Sequence, residues 1–192
     1  MSEVRKRVVF GVSGASGAAI ALRIGELLAR LPAVELHLVV SQAAIRTFEA
    51  EIGADALVSL LGLCHHHHAI ENIGASIASG SFRTDGMIVA PCSMRTLAGI
   101  ATGLADNLLI RAADVHLKER RPLILLTRET PLHLGHLRNM VAVTEMGATV
   151  MPPVPAFYHR PQSVADVVEH IARRAIDMLR LEGRPLASEW LG

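Results

Sequence analysis

The stretch Gly11-Val12-Ser13-Gly14-Ala15-Ser16-Gly17 decides how the chain is read. A short apolar run, Val8-Val9-Phe10, precedes it, and a helix-like segment over 18–31 follows. Strand, small-residue turn and helix together make an anion cradle. Glycine lets the backbone approach a ligand closely, and the first amides of a helix have no partner inside it. Ser13 and Ser16 add hydroxyl donors. The spacing Gly-x-x-Gly-x-x-Gly is neither the dinucleotide fingerprint Gly-x-Gly-x-x-Gly nor a P-loop, because no Lys followed by Ser or Thr closes it. A mononucleotide phosphate fits this turn better than NAD or ATP. A plain βα turn without a ligand is the other reading.

Outward from that turn, the alternation of strand and helix continues. Strand 7–12 leads to helix 16–30, with Ser16 as its N-cap and Pro32 ending it. Strand 34–40 is apolar apart from Glu35 and His37, and Ser41 opens a helix carrying Glu49 and Glu51. Strand 86–90 runs into Pro91-Cys92-Ser93-Met94-Arg95-Thr96, where Ser93 caps another helix and Thr96 adds a donor. Helix 106–121 carries a polar stripe, Asn107, Arg111, Asp114 and Lys118, on an otherwise apolar body, with Asp114 able to pair with Lys118. Strand 122–127 ends at Arg128-Glu129-Thr130-Pro131, placing Arg128 to clamp a phosphate and Glu129 to move protons. Helix 134–146 stops at Gly147, strand 148–151 follows, and a proline-stiffened loop, 152–158, fixes Tyr158. Ser163 caps a last helix, to about 181, that carries Arg173 and Arg174. The pattern predicts an α/β fold of one domain over 1–192: three layers α/β/α, a mostly parallel sheet, flavodoxin-like or Rossmann-like. Ligands in such sheets lie beyond the carboxyl ends of the strands, so Gly14, Ala15, Ser16 and Ser41 share one rim.

Composition bounds the partners. The 192 residues carry a net charge of +1 without a basic block, so neither nucleic acid nor an anionic lipid surface is expected. Two cysteines, Cys64 and Cys92, fit a reducing compartment rather than a disulfide framework. No signal peptide and no membrane span is read, which makes a cytoplasmic protein the expectation. Half the residues are apolar, on helices apolar around more than one face, so a homo-oligomer is expected, with the tail around Trp190 docking on a neighbour. Cys92, at a helix start, reads as a packed thiol rather than a nucleophile. The run His65-His66-His67-His68 reads as a solvated surface stretch. His65 and His68 would share a helical face, but no carboxylate completes a site, and no metal is expected. His133 and His136 read as polar residues at a helix start. The hydroxyl-rich loop with Ser76, Ser79 and Ser81 is either a connection or a second anion loop.

Several blocks, in order along nearly the whole chain, resemble the UbiX-type flavin prenyltransferases. They are Gly14-Ala15-Ser16-Gly17, Ser41-Gln42-Ala43-Ala44, Pro91-Cys92-Ser93-Met94-Arg95-Thr96, Arg111-Ala112-Ala113-Asp114 through Lys118-Glu119-Arg120-Arg121, Arg128-Glu129-Thr130-Pro131-Leu132, and 152–158. The resemblance implies a flavodoxin-like subunit in a homododecamer with interfacial active sites. It implies reduced FMN as the bound substrate and dimethylallyl phosphate as the donor, joined at N5 and C6 of the flavin without a metal. The product, prenylated FMN, would serve a UbiD-type decarboxylase in ubiquinone synthesis or aromatic-acid decarboxylation. Gly14, Ala15, Ser16, Ser41, Ser93, Met94, Arg95, Thr96 and Arg128 match FMN-binding positions. Tyr158 and Arg174 match prenyl-phosphate positions, and Lys118, Arg111 and Glu129 match the interfacial site. Ser16 and Glu129 would transfer protons, and Ser79 and Glu51 fall at further site positions. The chain departs from the family in aromatics, reading Ala18-Ala19-Ile20-Ala21 and Ile77-Ala78-Ser79-Gly80 where the family often carries a ring.

Two other classes compete with this reading. One is a non-catalytic FMN carrier or decarboxylase subunit, against which the scarcity of aromatic residues, 3% of the chain, counts. The other is an oxidative decarboxylase of peptidyl cysteine, whose Asn-containing substrate motif is not evident at 152–158.

Overall fold

Strand β1 (Lys6–Val12) shows how the sheet is built. Val8, Phe10 and Val12 point to one face and Val9 to the other, and all are buried. A strand covered on both faces reads as a continuous apolar run, the signature of a parallel sheet. The computed structural model describes residues 5–181 and 185–188, so Trp190 lies outside the described residues.

Among the described residues six strands form one sheet: β1, β2 (Val34–Val40), β3 (His66–His68), β4 (Gly86–Cys92), β5 (Leu123–Thr127) and β6 (Thr149–Val150). Their order is β3-β2-β1-β4-β5-β6, and every pairing is parallel. Without the short edge strand β3, this is the flavodoxin-like order. Helices α1 (Ala18–Ala29), α2 (Gln42–Ile52), α3 (Ala54–Leu63) and α7 (Val164–Asp177) cover one face with Ala21, Ile24, Phe48, Leu60 and Ile176. Helices α4 (Met94–Thr102), α5 (Leu108–Lys118) and α6 (Leu134–Glu145) cover the other with Leu97, Ile100, Leu109 and Val143. The three layers agree with the sequence expectation.

Three local readings change. The N-cap of α1 is Gly17, at φ 129°, rather than Ser16. The turn needs a backbone conformation that a side chain disfavours. Helix α5 is shorter than 106–121 because the Asn107 side chain caps it, accepting from the Ile110 amide at 3.1 Å. The histidine run contributes the edge strand β3 instead of a loop or helix, since β2 supplies its backbone partners. Among the described residues, no helix is long and apolar enough to cross a membrane.

Candidate functional site

The chain adds β2 and β3 on one side of β1 and then returns to lay β4 on the other. That reversal opens a crevice between the carboxyl ends of β1 and β4. Buried Ser13 closes its floor. Its hydroxyl donates to the Pro91 carbonyl at 2.8 Å and accepts from the Ser93 amide at 2.7 Å. Ser13 is therefore a structural stitch, and the expected ligand-donor role does not hold. Gly14 is pressed against the start of α2, where a Cβ would fall 2.2 Å from the Ala43 Cβ.

Two helices present capped amino termini at this rim. Ser41 accepts from the Ala44 amide at 3.2 Å, and Ser93 accepts from the Thr96 amide at 3.3 Å. The Ser41 oxygen is used by the cap, which leaves its hydroxyl proton to donate outward. Ser93 gives its own proton to the Thr96 hydroxyl at 3.1 Å. Met94 is half-buried in the first turn of α4. Arg95 turns its guanidinium away to Asp106 at 3.0 Å, so its side chain is committed to an ion pair.

The amino terminus of α1 is occupied differently. Helix α2 starts against Gly14 and ends with Glu51 over Gly17 and Ala18. The Glu51 carboxylate accepts from the Gly17 amide at 3.0 Å and the Ala18 amide at 2.8 Å. Partial burial pushes the Glu51 carboxyl up, but the Ser16 hydroxyl, these two amides and nearby Arg128 outweigh it and hold it below the usual carboxylate range. A phosphate at the same amides would face this carboxylate. The capped starts of α2 and α4 reach the same rim without such a carboxylate hydrogen-bonded to them among the described residues.

Arg128 follows β5, its amide donating to the Cys92 carbonyl at 3.1 Å, and its side chain is exposed at the rim. Glu129 is exposed beside it, with one carboxylate oxygen accepting from the Thr130 amide at 3.0 Å. Thr127, just before them, was not singled out in the sequence. Its hydroxyl oxygen is buried and has no hydrogen-bond partner among the described residues. No sequence signal could have marked it, because the partnering of a core threonine depends on the neighbouring strand. Cys92 is fully buried, which pushes its thiol up to about 12, as a packed thiol requires.

The remaining candidates have other neighbours. Tyr158 and Arg174 line one cleft of about 630 Å³ with Met151 and Ile171. The Arg111 Nε donates to the Ala78 carbonyl at 3.2 Å, and its guanidinium pairs with Asp114. Lys118 pairs with Glu119 beside Gly80, rather than with Asp114 as the stripe led one to expect. Arg121 ties the Gly80 and Phe82 carbonyls together, so the Ser79 loop sits where β4 begins. The Ser79 hydroxyl meets that of Ser81 at 2.9 Å. Ten helical steps, about 15 Å, separate the rim-side start of α5 from Lys118. One chain thus brings together Ser16, Ser41, Glu51, Ser93 and Arg128, and leaves Ser79 and Lys118 at the opposite end of the sheet.

A doubly wound subunit with helix termini, hydroxyls and an arginine at its switch point defines a mononucleotide-binding α/β protein, and the flavoprotein family model matches residues 1–176. The flavin prenyltransferase UbiX of Escherichia coli (strain K12) is 50% identical over 188 residues, covering 97% of this chain and 99% of that one. The crystal structure of AnUbiX (PadA1) in complex with FMN and dimethylallyl pyrophosphate superposes with a TM-score of 0.92 at 44% identity, covering 98% of each chain. A dodecameric FMN-dependent UbiX-like decarboxylase from Escherichia coli O157:H7 superposes with a TM-score of 0.90 at 46% identity, covering 97% of this chain and 100% of that one. The chain belongs to the UbiX family of flavin prenyltransferases.

Proposed function

We propose that this chain transfers a dimethylallyl group from dimethylallyl phosphate to N5 and C6 of reduced FMN. The observation that carries the reading is the convergence of the α2 and α4 termini, Ser41, Ser93 and Arg128 on the β1–β4 crevice of a chain of this family. FMN fits that donor set. Its phosphate has the helix amides and Arg128, and an acceptor near the β5 end would satisfy the orphaned Thr127 hydroxyl. Gly14, Ala15, Met94, Arg95 and Thr96 contribute backbone surface or amides to the same rim.

Allylic transfer breaks the C–O bond and sends the electron pair to the departing phosphate, while the five-carbon fragment becomes positive. Arg and Lys stabilise the first charge, and the electron-rich flavin meets the second. Tyr158 and Arg174 supply a hydroxyl and a cation for the donor phosphate. Ser16, hydrogen-bonded to ionised Glu51, holds a proton route at the rim, and Glu129 stands ready to take the proton released as the second bond forms. Lys118 and Ser79, at the far end of the sheet, would reach a flavin from a neighbouring subunit, with Arg111 on the same helix as Lys118, which fits a dodecamer like that of the Escherichia coli O157:H7 relative. A UbiD-type decarboxylase would receive the product, and two free thiols fit the cytoplasm.

The test is anaerobic incubation with reduced FMN and either dimethylallyl phosphate or its pyrophosphate, followed by mass spectrometry of the extracted flavin. Gain of one five-carbon unit is expected with the monophosphate. Unchanged FMN with both donors overturns the transferase and favours the carrier.

A further inference from the structure

The histidine run looked inert in the sequence because nothing beside it along the chain could complete a site. The sheet supplies what the sequence lacks. In the β2–β3 ladder His37 lies opposite His66, and Val39 opposite His68. Residues two apart on a strand share a face, so Glu35, His37, His66 and His68 all stand on one side of the sheet. The pair that faces alike is therefore His66 and His68, rather than His65 and His68. His65 is used elsewhere, its Nδ1 accepting from the Leu36 amide at 3.1 Å.

We propose that Glu35, His37 and His66 hold a divalent transition-metal ion, Zn(II) by the chemistry of the set, on the β2–β3 edge. The three donor atoms all lie within 4.8 Å of one another. One Glu35 oxygen is 3.0 Å from the His37 Nε2 and 3.4 Å from the His66 Nε2. Ligands at about 2.0–2.2 Å around a tetrahedral ion are spaced in this range. Two imidazoles and a carboxylate suit zinc, and the exposed side of His66 leaves a fourth position for water.

An outer shell is also built. The other Glu35 oxygen accepts from the Arg7 Nε at 3.3 Å. The Arg7 guanidinium lies 4.5 Å from the centre of the Phe82 ring, whose edge packs on His37. The His37 Nδ1 is 3.0 Å from the His68 Nε2. With a metal on Nε2, His37 carries its proton on Nδ1 and donates it to His68, the second-sphere hydrogen bond that fixes a ligating imidazole. The site is distinct from the FMN rim. Three residues, about 10 Å of strand, separate His37 from Val40. The ion would clasp the three-residue edge strand to the sheet.

The test uses the full-length chain without an affinity tag, stripped of metal by a chelator. Zn(II) is titrated against a chromophoric competitor, and Co(II) reports geometry by its visible absorption. One ion per chain with a tetrahedral Co(II) spectrum is expected. Glu35→Gln and His66→Ala should each weaken binding at least ~100-fold, and His68→Ala ~10–100-fold. His67→Ala, on the opposite face of β3, should change it less than about twofold. FMN binding by each variant checks that the fold persists, and His66→Ala, at an exposed position, keeps the test open if Glu35→Gln fails to fold. No ion bound at equimolar Zn(II) overturns the proposal. So does equal loss in His66→Ala and His67→Ala with Glu35→Gln unaffected, which would mean chelation by the histidine run alone.

Discussion

Two residues at the rim separate binding from chemistry. Replacing Ser13 by Ala removes a donor to Pro91 and an acceptor for Ser93, deep under the crevice. A buried amide left unpaired costs about 1–3 kcal/mol, so denaturant unfolding should show a loss of that size. FMN affinity should fall with it, because Ser93 is the cap that aims α4. Glu51→Gln is a different perturbation. The amide oxygen can still accept from Gly17 and Ala18, so FMN binding should persist while prenyl transfer drops by about 10²–10⁴. An unchanged rate would remove Glu51 from the proton route. The same variant alters acid sensitivity. The Glu51 carboxyl is held below its ordinary value of 4.5, so its contribution is present above that value and lost as pH falls through the lowered one. The acid limb of a pH–Tm profile should flatten in Glu51→Gln. Buried His116 acts in a higher window. Burial holds it down to about 4, with the Ala112 carbonyl 2.7 Å from its Nδ1 and the Thr84 hydroxyl 2.9 Å from its Nε2. The unfolded chain takes up its proton below about 6.5 and the native chain only near 4. Stability should therefore be full above pH 6.5 and decline as pH falls toward 4, and His116→Gln should blunt that decline in a Tm series.

Elements were legible wherever a pattern ran long enough to repeat. The apolar runs at β1, β2, β4 and β5, the helix start at Ser41 and the caps Ser93 and Ser163 announced themselves. Ser163 closes a full capping box with Asp166, so Ser163→Ala should cost about 1 kcal/mol in equilibrium unfolding. An unchanged midpoint would mean that α7 is held by packing on α1 alone. Strand β3 was not legible, since three histidines show no alternation and their partner, β2, lies 29 residues earlier by register. Ser16 looked like a cap because caps are judged from local sequence. Glu51, a whole helix away, took that duty once α2 lay along the rim. The stripe on α5 is polar throughout, but its residues serve different places. Its start is a cap, its middle holds the Ala78 carbonyl, and its end faces the far side of the sheet. A helix seen in sequence has a face but no position along the sheet axis.

At the scale of the molecule, the subunit is unfinished in two ways. Helix α6 buries Val143 but exposes Leu134, Leu137 and Val141, an apolar stripe at i, i+3 and i+7. With Leu104, Val154 and Phe157 also exposed, a second copy of the chain is the natural cover. The candidate residues are likewise divided between the two ends of the sheet, with Glu51 and Ser16 at the rim and Lys118 beside Gly80. If the assembly joins those ends, Glu51 acts on the flavin of its own chain while Lys118 acts on that of a neighbour. That arrangement predicts complementation. Glu51→Gln and Lys118→Ala oligomers should each be nearly inactive when pure. Subunits dissociated, mixed and reassembled would form some sites with Glu51 from one chain and Lys118 from another. Random mixing places both native residues in roughly a quarter of such sites, so prenyl transfer should return to about that fraction of the wild-type rate. Were Lys118 acting within its own chain, each site would inherit one defect or the other and mixing would restore nothing. The recovered rate therefore reads out whether α5 reaches the flavin across a subunit boundary.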